Sequence, residues 1–210
     1  MIRLPPRSTR FPYTTLFRSR ALERLEWLVC ADLWETDTSI FWNREGANPQ
    51  AIQTEVFLRP MASSVEKEGS VSNSARWAQW RYKAGEPPGV AKSDLWFIDE
   101  LFLRVKQLYQ QDVQNNRPCA LPDPILRANW NYRHENEEEP DAHAVAKEIN
   151  GYTWSDKEQI EKFMDLKDDG TTACGNWIYC GSYTEDGNQM ARRGPDDVPS
   201  EIGLYPDGSW

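Results

Sequence analysis

The sequence predicts an α/β fold: part of a doubly wound, Rossmann-like parallel sheet, followed by an irregular, loop-rich C-terminal segment. Three observations carry that expectation. Two short apolar runs, at 25–31 and 55–60, read as strands. A long helical period opens near Ser93. From Asp168 onward the chain is dense in Asp-Gly, Asn and Thr turn signals.

Each element has its own signature. The run at 25–31 (Leu-Glu-Trp-Leu-Val-Cys-Ala) ends at Asp32, and Thr36 and Asp37 then stand as helix-start residues before Ile40, Phe41 and Trp42. Strand, polar tip and helix in that order is the pattern of a doubly wound sheet, which binds ligands at the carboxyl ends of its strands. The second strand, 55–60, is stopped by Pro60, which cannot donate to a ladder. Residues 65–71 are polar, 76–82 are rich in Trp and Arg, and 86–89 form a turn. Ser93 or Asp94 caps the long helix, whose apolar residues Leu95, Ile98, Leu101, Phe102, Val105, Leu108 and Tyr109 recur at helical spacing to about Gln111. Residues 135–141 read as an acidic, solvated loop, 142–150 as a short helix, and 155–166 as a better helix capped by Ser155.

Composition bounds the function classes. The 210 residues suffice for a real core, and 39% are hydrophobic, although the mean hydropathy of −0.75 signals much polar loop. No apolar run approaches the roughly 20 residues of a membrane-spanning helix. The net charge is −9, yet residues 1–20 carry five arginines and no acid. The rest holds 19 basic against 33 acidic residues, which argues against a nucleic-acid surface. Cys30, Cys119, Cys174 and Cys180 are too scattered for a zinc or iron–sulphur site. Cys174 and Cys180 are spaced to pair in an oxidising compartment, although free buried thiols are the ordinary state. His134, His143 and the acids between them fit no metal-ligand template. The ten tryptophans are ordinary core material or, alternatively, a glycan-binding platform.

The stretch Phe11-Pro-Tyr-Thr-Thr-Leu-Phe-Arg-Ser19 resembles the translation of a sequencing adapter, so residues 1–20 are expected to be a non-native leader. A mitochondrial-type presequence is the competing reading; the apolar core of a secretory signal is absent.

Three blocks resemble the molybdenum- or tungsten-dependent oxidoreductases that hold a bis(molybdopterin guanine dinucleotide) cofactor. They are Trp27-Leu-Val-Cys-Ala-Asp-Leu-Trp-Glu-Thr-Asp-Thr38, then Glu55-Val-Phe-Leu-Arg-Pro60 with Val65-Glu-Lys-Glu-Gly-Ser-Val-Ser-Asn73, then Pro88-Gly-Val-Ala-Lys-Ser-Asp-Leu-Trp96. Their order is similar to that of the family's dinucleotide-fold domain. Two more blocks, Val145-Ala-Lys-Glu-Ile-Asn-Gly151 and Asp168-Asp-Gly-Thr-Thr-Ala-Cys-Gly-Asn-Trp-Ile-Tyr179 running on to Arg193, resemble respiratory formate dehydrogenases in particular.

The resemblance implies that 21–125 is part of the cofactor-binding domain and that 126–210 leads toward a cofactor-capping domain. It implies that Asp32 and Asp94 accept from the N1–H and N2 amine of guanine, converging on one purine pocket. Thr36 would donate a hydroxyl to the nucleotide, and Lys67 would reach its phosphates. Each has a plainer reading: a loop aspartate for Asp32, helix caps for Thr36 and Asp94, a solvated lysine between Glu66 and Glu68 for Lys67. Formate oxidation, the metal ligand and the 4Fe–4S cluster motif belong to parts of the family's catalytic subunit that precede this segment. The chain is therefore expected to contribute no catalytic residue and to be inactive alone. By the same resemblance the parent is periplasmic and works with an iron–sulphur beta subunit and a membrane cytochrome subunit. Another molybdopterin enzyme, such as a nitrate reductase, is the alternative that shares only the first three blocks.

Overall fold

The computed structural model describes residues 18–74, 77–118, 122–135 and 137–192. Most of the expected leader, Cys119, and the Pro-Asp-Gly turn at 206–208 lie outside the described residues. The fold is mixed α/β with small sheets, and it divides into two compact units, residues 1–61 and 62–210.

In the first unit, β1 (Trp27–Asp32) pairs in parallel with β2 (Glu55–Pro60), in register from Trp27 against Glu55 to Asp32 against Pro60. Parallel strands need a crossover, and here it runs through residues 33–54. The helix expected after Asp37 is replaced by a closed turn and one 3-10 turn, Phe41–Asn43. Local bonds explain the substitution. The Thr36 amide donates to Ser39 Oγ (2.7 Å), and the same hydroxyl donates back to the Thr36 carbonyl (2.9 Å). The Arg44 guanidinium then takes the Phe41 carbonyl (2.9 Å), and Gly46 and Pro49 follow too soon for an α-helix to nucleate. Phe41, only 2% exposed, is the apolar centre of this unit, with Trp42 edge-on against it. The described parallel sheet has these two strands; the larger doubly wound sheet of the sequence reading is not present among the described residues.

The second unit begins with a hairpin missed by sequence periodicity: β3 (Gly69–Ser72) antiparallel to β4 (Ala78–Arg81). The long helix, α1 (Asp94–Gln114), starts where expected, with Ser93 Oγ accepting from the Trp96 amide (2.9 Å). Its most buried residue is a charge. Asp99, 2% exposed, accepts from the Trp130 indole (2.6 Å) and pairs with Arg133, while Trp130 stacks on Phe102 at 4.2 Å. Burial of an ion is tolerable only with such partners. A short helix, α2 (Pro122–Arg127), follows, then α3 (Ala142–Asn150), capped by Asp141 through the His143 amide (2.8 Å).

No helix spans 155–166, contrary to the periodicity. Asp156 Oδ1 accepts from the Glu158 amide (3.1 Å) and from the Thr153 hydroxyl, and Lys157 adopts a left-handed backbone (φ +66°). Ser155 donates to Asp156 rather than capping anything. The Lys157 ammonium lies 3.8 Å from the Trp154 ring centroid and 4.3 Å from that of Tyr152. Local side-chain bonds and cation–π contact outcompete a helix of modest propensity. The rest is loop-rich, as expected: β5 (Tyr152–Thr153) with β6 (Thr172–Ala173), β7 (Tyr183–Thr184) with β8 (Gly187–Asn188), and intervening 3-10 turns.

This segment is organised by Asn150, whose side chain has no exposed surface. Its Nδ2 donates to the carbonyls of Ile160 (2.9 Å) and Gly151 (3.1 Å), and its Oδ1 accepts from the amides of Gly181 (2.7 Å) and Tyr183 (3.1 Å). Next to it, Gly151 (φ +102°) ends α3 so closely against the β6 strand that a Cβ would fall 2.5 Å from the Ala173 carbonyl oxygen. Substituting Gly151 by Ala combines that overlap with left-handed strain. Gly170 has φ +82° but open space around it, so Gly170→Ala isolates the strain alone, about 1 kcal/mol. The expected outcome is a urea midpoint for Gly151→Ala well below that of Gly170→Ala; equal midpoints would show that the close approach does not matter. Asn150→Ala strands four backbone groups and is expected to cost about 2 kcal/mol or more.

Candidate functional site

Asp32 and Thr36 belong to the first unit, Lys67 and Asp94 to the second. Because β1 and β2 are parallel, Asp32 and Pro60 stand together at their carboxyl ends, where open parallel sheets bind ligands. A shallow cleft of about 160 Å³ opens there, lined by Asp32, Ser39 and Arg59 among others. The exposed Asp32 carboxylate accepts from the Leu33 amide (2.8 Å). Below it, burial pushes the Cys30 thiol pKa up, and the Asp32 charge adds to that. Thr36 does not line the cleft. Its hydroxyl oxygen accepts from the Ser39 amide (3.4 Å) within the turn that replaces the expected helix, and Ser39 rather than Thr36 reaches the cleft wall.

In the second unit the structure brings two of the four residues together. Lys67 Nζ donates to Asp94 Oδ1 at 2.7 Å. Lys67 stands just before β3, and Asp94 is the first residue of α1, so the cap of that helix falls to Ser93. The pair sits at a cavity of about 430 Å³ formed between the β3–β4 hairpin, the start of α1 and one face of α3. Ser64, Ser70, Ser72 and Arg81 contribute polar groups to its wall, and Val145 and Ile149 its apolar floor. That volume is within the range of small-molecule sites, roughly 300–1,000 Å³.

Partial burial pushes the Asp94 carboxyl pKa up, but the Lys67 hydrogen bond and charge, with the backbone amides of Asp94 and Leu95, outweigh it and leave it below the usual carboxylate range. The chemistry of the cavity follows from this donor set. Lys67, Arg81 and hydroxyls line it together with Glu68, and the Asp94 carboxylate sits at the helix start.

Residues given no binding role from sequence support this wall. Glu68 Oε1 accepts from the Trp80 indole (3.0 Å) and bonds His143 Nε2 (2.9 Å), while His143 Nδ1 meets the Tyr183 hydroxyl (2.9 Å). Tyr183, 1% exposed, packs with Trp80 and Ala146 as the core beneath the cavity. His143 is thus a bridge between hairpin and helix. The acidic loop is likewise pinned, Glu138 to Lys92 and Glu139 to Ser93. Among the described residues, no group of three or more His, Cys, Asp or Glu is arranged to hold a metal. Arg81 and the serines become legible only once β3 and β4 are known to pair, with Gly69 opposite Arg81 and Ser70 opposite Trp80. A polar strand of Gly and Ser gives no hydrophobic period to reveal that.

The Lys67–Asp94 pair makes a definite pH prediction. A carboxyl lowered in the folded state contributes stability that is whole above its unfolded value, near 3.9, and is lost as pH falls through the folded value. Lys67→Met should move the Asp94 titration, followed by carboxyl carbon NMR, upward toward the ordinary range. The cost at neutral pH is small, within about 1 kcal/mol, because the pair is solvent-facing. An unmoved Asp94 titration would mean the helix amides alone hold the carboxylate.

No family model matches the chain. Curated proteins do. The chain is 40% identical, over 213 residues, to the alpha subunit of formate dehydrogenase 2 (cytochrome c-553) of Nitratidesulfovibrio vulgaris, a match covering 95% of this chain and 20% of that protein. The formate dehydrogenase alpha subunit of Megalodesulfovibrio gigas is 40% identical, with 90% and 20% covered. The formate dehydrogenase-O major subunit of Escherichia coli is 38% identical over the same shares. The chain therefore spans about one-fifth of the length of the curated relatives it matches. It is a homologue of one segment of the formate dehydrogenase alpha, or major, subunit.

Proposed function

We propose that this chain forms part of the bis(molybdopterin guanine dinucleotide) cradle in a formate dehydrogenase alpha subunit, and is not catalytic by itself. One observation carries the reading: the Lys67–Asp94 pair at the edge of a cavity whose other polar side chains are Arg81, serine hydroxyls and Glu68, the last already engaged by Trp80 and His143. The donor set fits the group. A pyrophosphate calls for cations and hydroxyls, and the Watson–Crick edge of guanine calls for an ionised carboxylate. Lys67 and Arg81 would hold phosphate oxygens, and Asp94, once its lysine partner turns to phosphate, would accept from guanine. Asp32, at the carboxyl end of β1, is the second candidate guanine acceptor, with Thr36 at the adjoining turn.

Exposed Trp27, Val29 and Leu58 on a parallel strand pair support membership in a larger doubly wound sheet, since parallel sheets are normally covered on both faces. Residues 21–125 then belong to the cofactor-binding domain, and 126–210 lead to the domain that caps it. When bound, the pterin supplies the molybdenum or tungsten at which formate becomes CO2. The parent's 4Fe–4S cluster, iron–sulphur beta subunit, membrane cytochrome subunit and periplasmic location complete this reading and lie outside the residues described.

Titration of GDP into the 210-residue chain, followed by tryptophan fluorescence and by NMR, tests it. Binding should be weak, because a partial site still bears the full cost of ordering its ligand. ADP should bind about tenfold more weakly than GDP, the discrimination of one paired base edge. Asp94→Asn should erase that preference, and Lys67→Met should weaken GDP while flattening its salt dependence. Equal affinity for GDP and ADP, or indifference to both substitutions, would overturn the assignment.

A further inference from the structure

We propose that Cys174 and Cys180 are a redox-formed pair, a disulfide that closes the 174–180 turn at the end of α3. The inference is independent of the nucleotide reading and rests on how the turn is built. Both cysteines are packed against one peptide, Asn150–Gly151. Cys174 approaches Gly151 so closely that a Cβ there would lie 2.6 Å from the cysteine's own Cβ. Cys180 Sγ donates to the Asn150 carbonyl at 3.0 Å. The two side chains are near enough that Cys174 adds to the rise in the Cys180 thiol pKa.

Between them the chain is held on both sides. The Gly175 amide donates to the Glu148 carbonyl (3.2 Å) and the Asn176 amide to that of Ile149 (3.4 Å). The 3-10 turn Trp177–Tyr179 then reverses the chain, and the Cys180 amide closes on the Trp177 carbonyl (3.2 Å). The fold has therefore already spent the entropy of bringing the two sulfurs together. This raises their effective concentration over that in an unfolded chain. Both cysteines are partly exposed, so a small disulfide can reach them.

With oxidised glutathione as oxidant the chemistry balances. The Cys174 thiolate attacks one glutathione sulfur, forming a mixed disulfide and releasing one glutathione thiolate. The Cys180 thiolate then attacks the Cys174 sulfur and releases the second. The two cysteines lose two protons and two electrons, and the electrons reside in two glutathione thiols. Burial, followed by the neighbouring Cys174, pushes the Cys180 thiol up to about 11, so Cys174 opens the exchange and the closing step quickens as pH rises. The bridge braces the turn that caps α3 and that carries Tyr179, whose hydroxyl meets that of Ser72 on the cavity wall (3.1 Å).

Equilibration of the full chain in glutathione redox buffers, with and without urea, followed by alkylation and peptide mass mapping, tests the proposal. Both cysteines fall in one tryptic peptide, 168–192, so the bridge reads as a loss of two mass units with no alkylation. The expected result is that this peptide oxidises at a glutathione ratio at least about tenfold more reducing in buffer than in urea. Cys30 should stay alkylatable throughout. Cys174→Ser should leave Cys180 forming only a glutathione adduct. Identical ratios with and without urea, alkylation of both cysteines under oxidising buffer, or pairing of either with Cys30 or Cys119 would each overturn it.

Discussion

A single buried carboxamide sets the geometry of the C-terminal half of this protein. The side chain of Asn150 offers two donors and one acceptor oxygen with two lone pairs, and all four are satisfied by backbone groups of two separate stretches. No apolar residue could do this. The stretches at 151–160 and 181–183 bury only Ile160 and Tyr183 as large apolar anchors, so directional bonds complete the pinning. A buried amide left half-satisfied is worse than none, which makes the arrangement all-or-nothing. The consequence reaches the cavity. Asn150 ends α3, α3 supplies the cavity's apolar floor, and the Tyr183 amide held by Asn150 places the Tyr183 hydroxyl on His143.

The acidic surplus of the chain is less of a liability than its net charge suggests. Several of its carboxylates have a defined partner inside the second unit. Asp99 is buried against Trp130 and Arg133, Glu68 ties an indole to an imidazole, and Glu138 and Glu139 bind the residues flanking the start of α1. The start of that helix is consequently enclosed by acids from one side and by Lys67 from the other. Lys67, with the amides of Asp94 and Leu95, lowers the Asp94 carboxyl pKa, and a ligand phosphate that drew Lys67 away would free the carboxylate oxygen it occupies. Binding of the two ends of a nucleotide would then be coupled through one ion pair.

Sequence and structure agree where a single local signal decides the outcome. β2 occupies 55–60, ended by Pro60; α1 begins after the Ser93 cap; α3 fills 142–150 after Asp141. They part where side chains bond to their own backbone. Thr36 with Ser39, and Asp156 with Thr153 and Glu158, make tight turns that compete with the helices implied by apolar spacing. The β3–β4 hairpin was illegible for another reason. Its strand Gly69–Ser72 is small and polar, and it is held by the ladder to β4 instead of by an alternating apolar face. Of the site, Lys67 and Asp94 were reachable only through resemblance, because a lysine between two glutamates and an aspartate after a helix cap carry no distinguishing pattern. Their meeting across 27 positions is a tertiary fact.

The exposed aromatic residues bear on whether this chain is a segment of a larger subunit or a free-standing glycan-binding module. A sugar platform presents ring faces flat to solvent. Here Tyr152 and Trp154 meet edge-to-face at 85°, and the Lys157 ammonium lies over the Trp154 ring. Phe163 and Trp177 are tilted at 55° to one another, beside the 84% exposed Met164. Such a patch is apolar without being planar, the character of a surface that packs against protein. Ile98, Leu101 and Leu108 on α1, and Trp27 and Val29 on β1, add exposed apolar surface of the same kind on regular elements. A single stand-alone domain of this size ordinarily buries such faces, whereas one-fifth of a long subunit has most of its covering chain elsewhere. The identity to formate dehydrogenase subunits and the distribution of uncovered apolar surface therefore argue in the same direction, from independent premises.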